Sequence, residues 1–286
     1  MAQAAMLPEV EGEKREKSPL VRPQLHRRWG SPSLSLLELS LKFALLIACS
    51  ISVITTIGIL AVLLSEVGLF FAEVSLADFF FGRVWSPLIE PKQFGVLPLI
   101  SGTLLIGLGA TLIAVPIGAG AALFLSEYVT GSKKHIIKAI VEVLAGVPSV
   151  VYGFFAISFV TPMLGKIFPT IQYFNALSAA IVVGIMVIPT IASISQDAFE
   201  AVPRDLREAG YGLGARKFQV ATTIVFPAAL SGFVAAVILA FARAIGETMA
   251  VTLAAGSMPN LSLNMLESMQ TITAYIVQVS LGDTPT

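Results

Sequence analysis

Long apolar runs separated by short polar connections dominate the chain. A helix crossing hydrocarbon needs about 20 mostly apolar residues, and five stretches meet that length. Residues 43–64 carry no charge over 22 positions. The second lies within 93–126, with 101–124 as the expected span; the third lies within 143–165. The fourth is placed at 176–194, after the polar "QYFN", and the fifth at 228–255. Pro116, Pro148, Pro189 and Gly246 fall inside these runs, where membrane helices tolerate them because neighbours satisfy the freed backbone groups. The run "GTLLIGLGATLIAVPIGAGAALF" also carries closely spaced small residues, which suit tight helix packing.

Composition agrees with an integral membrane protein. Of 286 residues, 56% are hydrophobic and 13% charged, and mean hydropathy is +0.85, well away from soluble domains. Formal net charge is zero, so whole-chain charge does not suggest a nucleic-acid partner. The distribution of Lys and Arg says more. Alternate connections hold fourteen on one side and three on the other, with Arg243 the remaining one. The positive-inside rule then places the N-terminus in the cytoplasm and, with five spans, the C-terminus outside. Residues 1–32 read as a disordered cytoplasmic tail, either solvated or touching anionic lipid through its basic cluster. The tail is too long for a cleaved signal. Residues 33–96 then form the first span with an extracytoplasmic loop, and 97–286 a helical core. The last thirty residues are polar and amphipathic, so the chain is expected to stop before a further span.

Several chemistries are missing. His26 and His135 lie outside the expected spans, Cys49 is the single cysteine, and no H-E-x-x-H, G-x-S-x-G or Walker pattern occurs. That argues against a metalloprotease, a metal centre or a self-contained ATPase. "GYGLGARK" at 210–217 is glycine-rich, but it follows no expected strand and has the wrong spacing for a phosphate loop.

Two features remain. The connection "SQDAFEAVPRDLREAGYGLGARKFQVATTIVFP" holds a short amphipathic helix, with Pro203 at its first turn. Leu206, Ala209, Gly210 and Leu213 recur on one face and Arg204, Asp205, Arg207 and Glu208 lie on the other. Gly212 and Gly214 are expected to stop it. A surface helix packed beneath the bundle has the same periodicity. The second feature is "FARAIGETMAVT". A charge at the centre of a membrane helix costs about 2.5–3.5 kcal/mol on insertion scales, yet Arg243 and Glu247 both lie there. In a continuous helix they share a face. They form either a mutual ion pair or a guanidinium turned to a water-filled pathway, where an arginine fork suits an oxyanion.

"EAG" at 208–210, three residues, Gly214, nine residues and "IVFP" at 224–227 resemble the EAA loop of ABC importer permeases, with Gly210 for the third alanine and Phe226 for the leucine. "FARAIGETMAV", "FFFGRVWSPLIEPKQFGVLPLISGTLL", "EVLAGVPSVVYGFFAI" and "DAFEAVPRDLREAGYGLGARKFQV" further resemble the inner-membrane permease (PstC-type) family of phosphate-specific ABC importers. The resemblance implies an all-α, type I (MetI-like) transmembrane domain whose sixth helix is missing here. It implies a multi-pass bacterial inner-membrane protein that is not itself catalytic. Arg243, Glu247 and Thr248 would line the phosphate pathway, while Glu208, Ala209, Gly210 and Gly214 would form a coupling helix (197–227). A sister permease, two ATP-binding subunits and a periplasmic phosphate-binding protein would be partners. ATP and Mg would sit on the ATP-binding subunits, with no cofactor or metal in this chain. The sister permease and permeases for other oxyanions share the EAA loop, so only the "RAIGETMAV" region separates them. An ion-coupled transporter or channel using Arg243 and Glu247 would instead leave the EAA spacing unexplained. Phe79, Phe80, Phe81 and Trp85 read as a docking surface for the binding protein or as an interfacial aromatic belt.

Overall fold

Helix α1 (Pro32–Glu73) is longer than the expected first span. The computed structural model describes residues 32–280 and 282, so the tail at 1–31 lies outside the described residues. Contacts divide the chain into two units, through Gly68 and from Leu69 onward. In the first, residues 36–68 are exposed throughout. That is the state of an apolar helix whose side chains face lipid.

The second unit opens with α2 (Leu76–Phe81) and a two-stranded antiparallel hairpin, β1 (Trp85–Ser86) and β2 (Gln93–Phe94). Phe79 stands edge-on to Phe70 and Phe71, and Trp85 edge-on to Phe94 and Tyr275. These rings close on one another, whereas Phe80 and Phe81 point outward. Of the four aromatics read as one surface, two therefore serve local packing.

Helices α3 (Leu97–Leu123) and α7 (Ala176–Glu200) form the centre. Along α3, Ile106, Ala110, Ala114, Gly118 and Ala122 are buried at every fourth position, one stripe of a 3.6-residue helix. A Cβ on Gly118 would lie 2.8 Å from Ile191, and one on Gly184 would lie 3.0 Å from the Ala110 carbonyl oxygen. The small-residue run thus lets the two backbones approach. α7 begins where Asn175 caps it: the Asn175 side chain accepts from the Ser178 amide at 2.7 Å and donates to Thr161 and the Gln172 carbonyl. Gly109 meets Ala180 and Gly118 meets Ile191, so α3 and α7 run parallel. Their C-termini share one end of the bundle.

The third apolar run is bent. α4 (Ser132–Ala145) turns by 82° into the segment Ser149–Gly165, made of α5 (Ser149–Phe155), a π-helical turn and α6 (Thr161–Gly165). The two pieces are long and apolar enough for a span only when taken together. α4 is amphipathic and lies against the end of α7, where Lys134 pairs with Glu200 at 2.9 Å and Lys138 with Asp197 at 3.1 Å. A second bend of 74° separates Lys217–Ala228, which contains α9 (Lys217–Gln219) and α10 (Phe226–Ala228), from α11 (Leu230–Gly246). The expected fifth helix is not continuous: α11 ends at Gly246, and α12 (Met249–Ala255) follows after a break. Among the described residues, three helices are long and apolar enough to cross a membrane, or up to five spans if each bent pair is one.

Residues 256–271 return as irregular chain, and α13 (Ile272–Ser280) follows. The return is exposed over most of 257–264 and buried at 268–271, and between them the half-buried Met265, Leu266 and Glu267 carbonyls accept from the amides of Leu177, Gln172 and Ala176 at 2.8–3.0 Å. These bonds close the α7 N-terminus with backbone from elsewhere in the chain.

Candidate pathway break and coupling helix

The break in the fifth span explains how two charges are held there. Glu247 leaves the helix with extended backbone (φ −69°, ψ 131°), and its Oε1 accepts from the Ala250 amide at 3.2 Å, serving the first turn of α12. Arg243 lies in the last turn of α11. A cation near a helix C-terminus and an anion near an N-terminus each meet a favourable macrodipole end. Of the two readings of a continuous helix, the mutual ion pair is therefore not formed; among the described residues, the ion pairs within 4 Å lie elsewhere. Arg243 instead donates to the Thr190 hydroxyl at 3.4 Å, about the middle of α7, and is exposed, with Glu247 and Thr248 half-buried. Thr248 bonds back to the Gly246 carbonyl at 3.3 Å, and Thr273 of α13 donates to the Glu247 carbonyl at 3.0 Å. Two clefts, of about 310 and 600 Å³, flank α12 and share Thr252, Leu253 and Ser257.

The second candidate element is α8 (Arg204–Gly212). Glu208 and Ala209 are exposed, and Gly210 is buried. A Cβ on Gly210 would come 2.5 Å from Ile224 Cδ1 and 3.1 Å from Val220, which accounts for the smallest residue at the third EAA position. Gly214, at φ +82°, ends the helix; the Ala215 amide bonds the Gly210 carbonyl at 3.1 Å. Gly212 belongs to the last turn instead of stopping it. The apolar face is covered only at Gly210: Leu206, Ala209 and Leu213 are exposed, Leu213 at 90%, as are Arg204, Asp205 and Glu208 on the polar face.

What turns inward is Arg207. Its guanidinium meets Glu127 Oε1 through Nε at 3.1 Å and Nη2 at 2.9 Å, and it donates to the carbonyls of Phe199, at 2.7 Å, and Val202. The Glu127 side chain is 5% exposed. Periodicity assigned Arg207 to the solvent face because it counts a charge as polar without asking for partners. Glu127 and Thr190 were likewise missed, each being a lone polar residue at the edge of or inside an apolar run.

Five apolar segments, two of them bent, with a charged break in one and an exposed amphipathic connecting helix, define a multi-pass membrane transport component. The family described as "Binding-protein-dependent transport system inner membrane component" matches residues 114–281. The chain belongs to that family, and its fold is accordingly that of an ABC importer's permease domain. It is 34% identical over 211 residues to the probable ABC transporter permease protein YqgH of Bacillus subtilis, covering 74% of this chain and 68% of that one. It is 35% identical over 218 residues to the phosphate transport system permease protein PstC of Mesorhizobium japonicum, covering 70% and 66%. The chain thus spans about two thirds of the length of these relatives. It is also similar to a chain of the MetNI methionine ABC transporter in inward-facing crystals, with TM-score 0.49 and 19% identity over 67% of this chain and 82% of that one.

Proposed function

We propose that this chain is the permease subunit of an ATP-driven importer of inorganic phosphate. It forms half of the translocation pathway and couples to an ATP-binding subunit through α8. A sister permease supplies the other half, two ATP-binding subunits carry ATP, Mg and hydrolysis, and a binding protein delivers phosphate from outside. The relatives that carry the phosphate name support the substrate. The observation that carries the reading is Arg243: a guanidinium held within an apolar span whose side-chain partner among the described residues is a neutral hydroxyl. A planar, permanently charged fork with unused donors suits a passing oxyanion. Glu247 and Thr248 set the break that leaves it so placed. Glu208, Ala209, Gly210 and Gly214 give α8 its exposed face and its tight return to the membrane.

Reconstitution with the ATP-binding subunits, sister permease and binding protein tests this. ATP-dependent phosphate uptake is expected from the wild type, with Arg243→Ala and Glu247→Gln at least tenfold slower in assembled complexes. Uptake that persists without ATP defeats the importer reading. Wild-type rates in both variants would reduce the break to a structural feature.

A further inference from the structure

The Arg207–Glu127 pair joins α8 to chain segments far from it in sequence. Glu127 lies in the π-helical turn Phe124–Tyr128 that ends the α3 span, and Arg207 is on α8. The same guanidinium binds the carbonyls of Phe199, in the last turn of α7, and Val202, just beyond it. One side chain therefore ties α8 to the ends of both central helices. Surface ion pairs are usually weak because water competes for both partners. This one differs: the carboxylate is almost fully enclosed, and four hydrogen bonds leave the guanidinium little freedom to swivel.

The surroundings fit a fixed joint. Gly210 brings α8 against Val220 and Ile224, and Lys134 and Lys138 bind α4 to the same end of α7. A cavity of about 370 Å³ beside the pair is lined by Ser126, Lys134, Glu200, Arg204, Glu208 and Tyr211, together with the pair itself. α8 is thus held to the bundle by the Arg207 hydrogen bonds and by Gly210 against Val220 and Ile224, while Leu206, and Leu213 just beyond the helix, are exposed.

We infer that Arg207 and Glu127 are positioning residues that lock α8 to the ends of α3 and α7, so that a displacement imposed on α8 moves those helices as one body. The inference rests on α8 being the coupling helix of an ATP-driven importer. The role assigned to both is positional, carried by their contacts with each other and with the Phe199 and Val202 carbonyls.

The test uses the full complex with Cys49→Ser, reading phosphate transported per ATP hydrolysed. In Glu127→Gln and Arg207→Lys, assembly and basal hydrolysis are expected to persist while transport per ATP falls at least tenfold. A ratio within twofold of wild type in both overturns the inference. Because such variants can fail to assemble, a second measurement stands apart from them. Ser126→Cys and Tyr211→Cys, across the cavity, are joined by a short bifunctional thiol reagent. A joint that never opens predicts that the cross-linked protein transports within twofold of its uncross-linked control. Loss of transport on cross-linking overturns the inference, since α8 would then have to move against α3. Absence of ATP-dependent uptake in the Cys49→Ser parent would instead defeat the importer reading.

Discussion

Gly256 shows how one residue can fix a local path. It sits directly after α12 at φ +84°, ψ −162°, and a Cβ there would lie 2.6 Å from Ser268 Oγ and 3.0 Å from Phe174 Cβ. Ser268 in turn donates to the Ala255 carbonyl at 2.8 Å. Backbone conformation and space both demand glycine, and strain of this kind is about 1–3 kcal/mol per residue. Gly256→Ala is expected to lower thermal stability in detergent by at least that much. Gly120→Ala, where nothing lies within 4 Å, should be neutral or stabilising by up to about 1 kcal/mol. Equal melting temperatures would refute the assignment. The sequence does not disclose this role, because a glycine after an apolar run reads the same whether it is merely small or conformationally required. Arg207 teaches the complementary lesson. Its residue type says charge, and only the partners Glu127, Phe199 and Val202 say that it turns inward.

At the scale of elements, the α3–α7 pair was the most legible part. Small residues every four positions leave a groove, and a second helix must fill it. Gly184→Leu should force the helices apart, since even a Cβ would press on the Ala110 carbonyl. Overpacking typically costs about 1–3 kcal/mol, and a rigid backbone contact puts this case at the upper end. Gly120→Leu is the matched control, and similar detergent melting curves for the two would contradict the packing. The breaks were less legible. Hydropathy averages over a window, so 228–255 reads as one helix even though α11 ends at Gly246. The reason lies in local hydrogen bonds, Glu247 to Ala250 and Thr248 to Gly246. The bend after α4 follows the same logic. Apolar residues continue through it, while the Lys134 and Lys138 ion pairs hold α4 across the end of α7. The polar stretch 265–271 misled in the opposite direction: it is half-buried at 265–267, whose carbonyls bond the chain at the α7 N-terminus, and buried at 268–271.

For the whole molecule, the parallel course of α3 and α7 tests the charge argument independently of hydropathy. From Leu69 onward, connections 127–142 and 195–226 lie at the end where both helices finish, and they carry seven Lys and Arg. Connections 69–96, 165–176 and 256–286 carry three, all in the first two. The hairpin leads directly into the α3 N-terminus, and α3 at 27 residues spans roughly 40 Å, enough to separate the two ends across a bilayer. Under the proposed function, positive-inside bias predicts that the α8 end faces the cytoplasm, the side on which an ATP-binding partner would dock. Single cysteines at exposed sites check this in a Cys49→Ser background: Lys133→Cys and Leu213→Cys at one end, Ile89→Cys at the other. A membrane-impermeant maleimide should label the first two only in inverted inner-membrane vesicles and Ile89→Cys only in spheroplasts. Labelling of Leu213→Cys from the outside would invert the molecule and remove α8 as the coupling element. Labelling of all three from one side would break the alternation of spans on which the parallel α3–α7 pair depends.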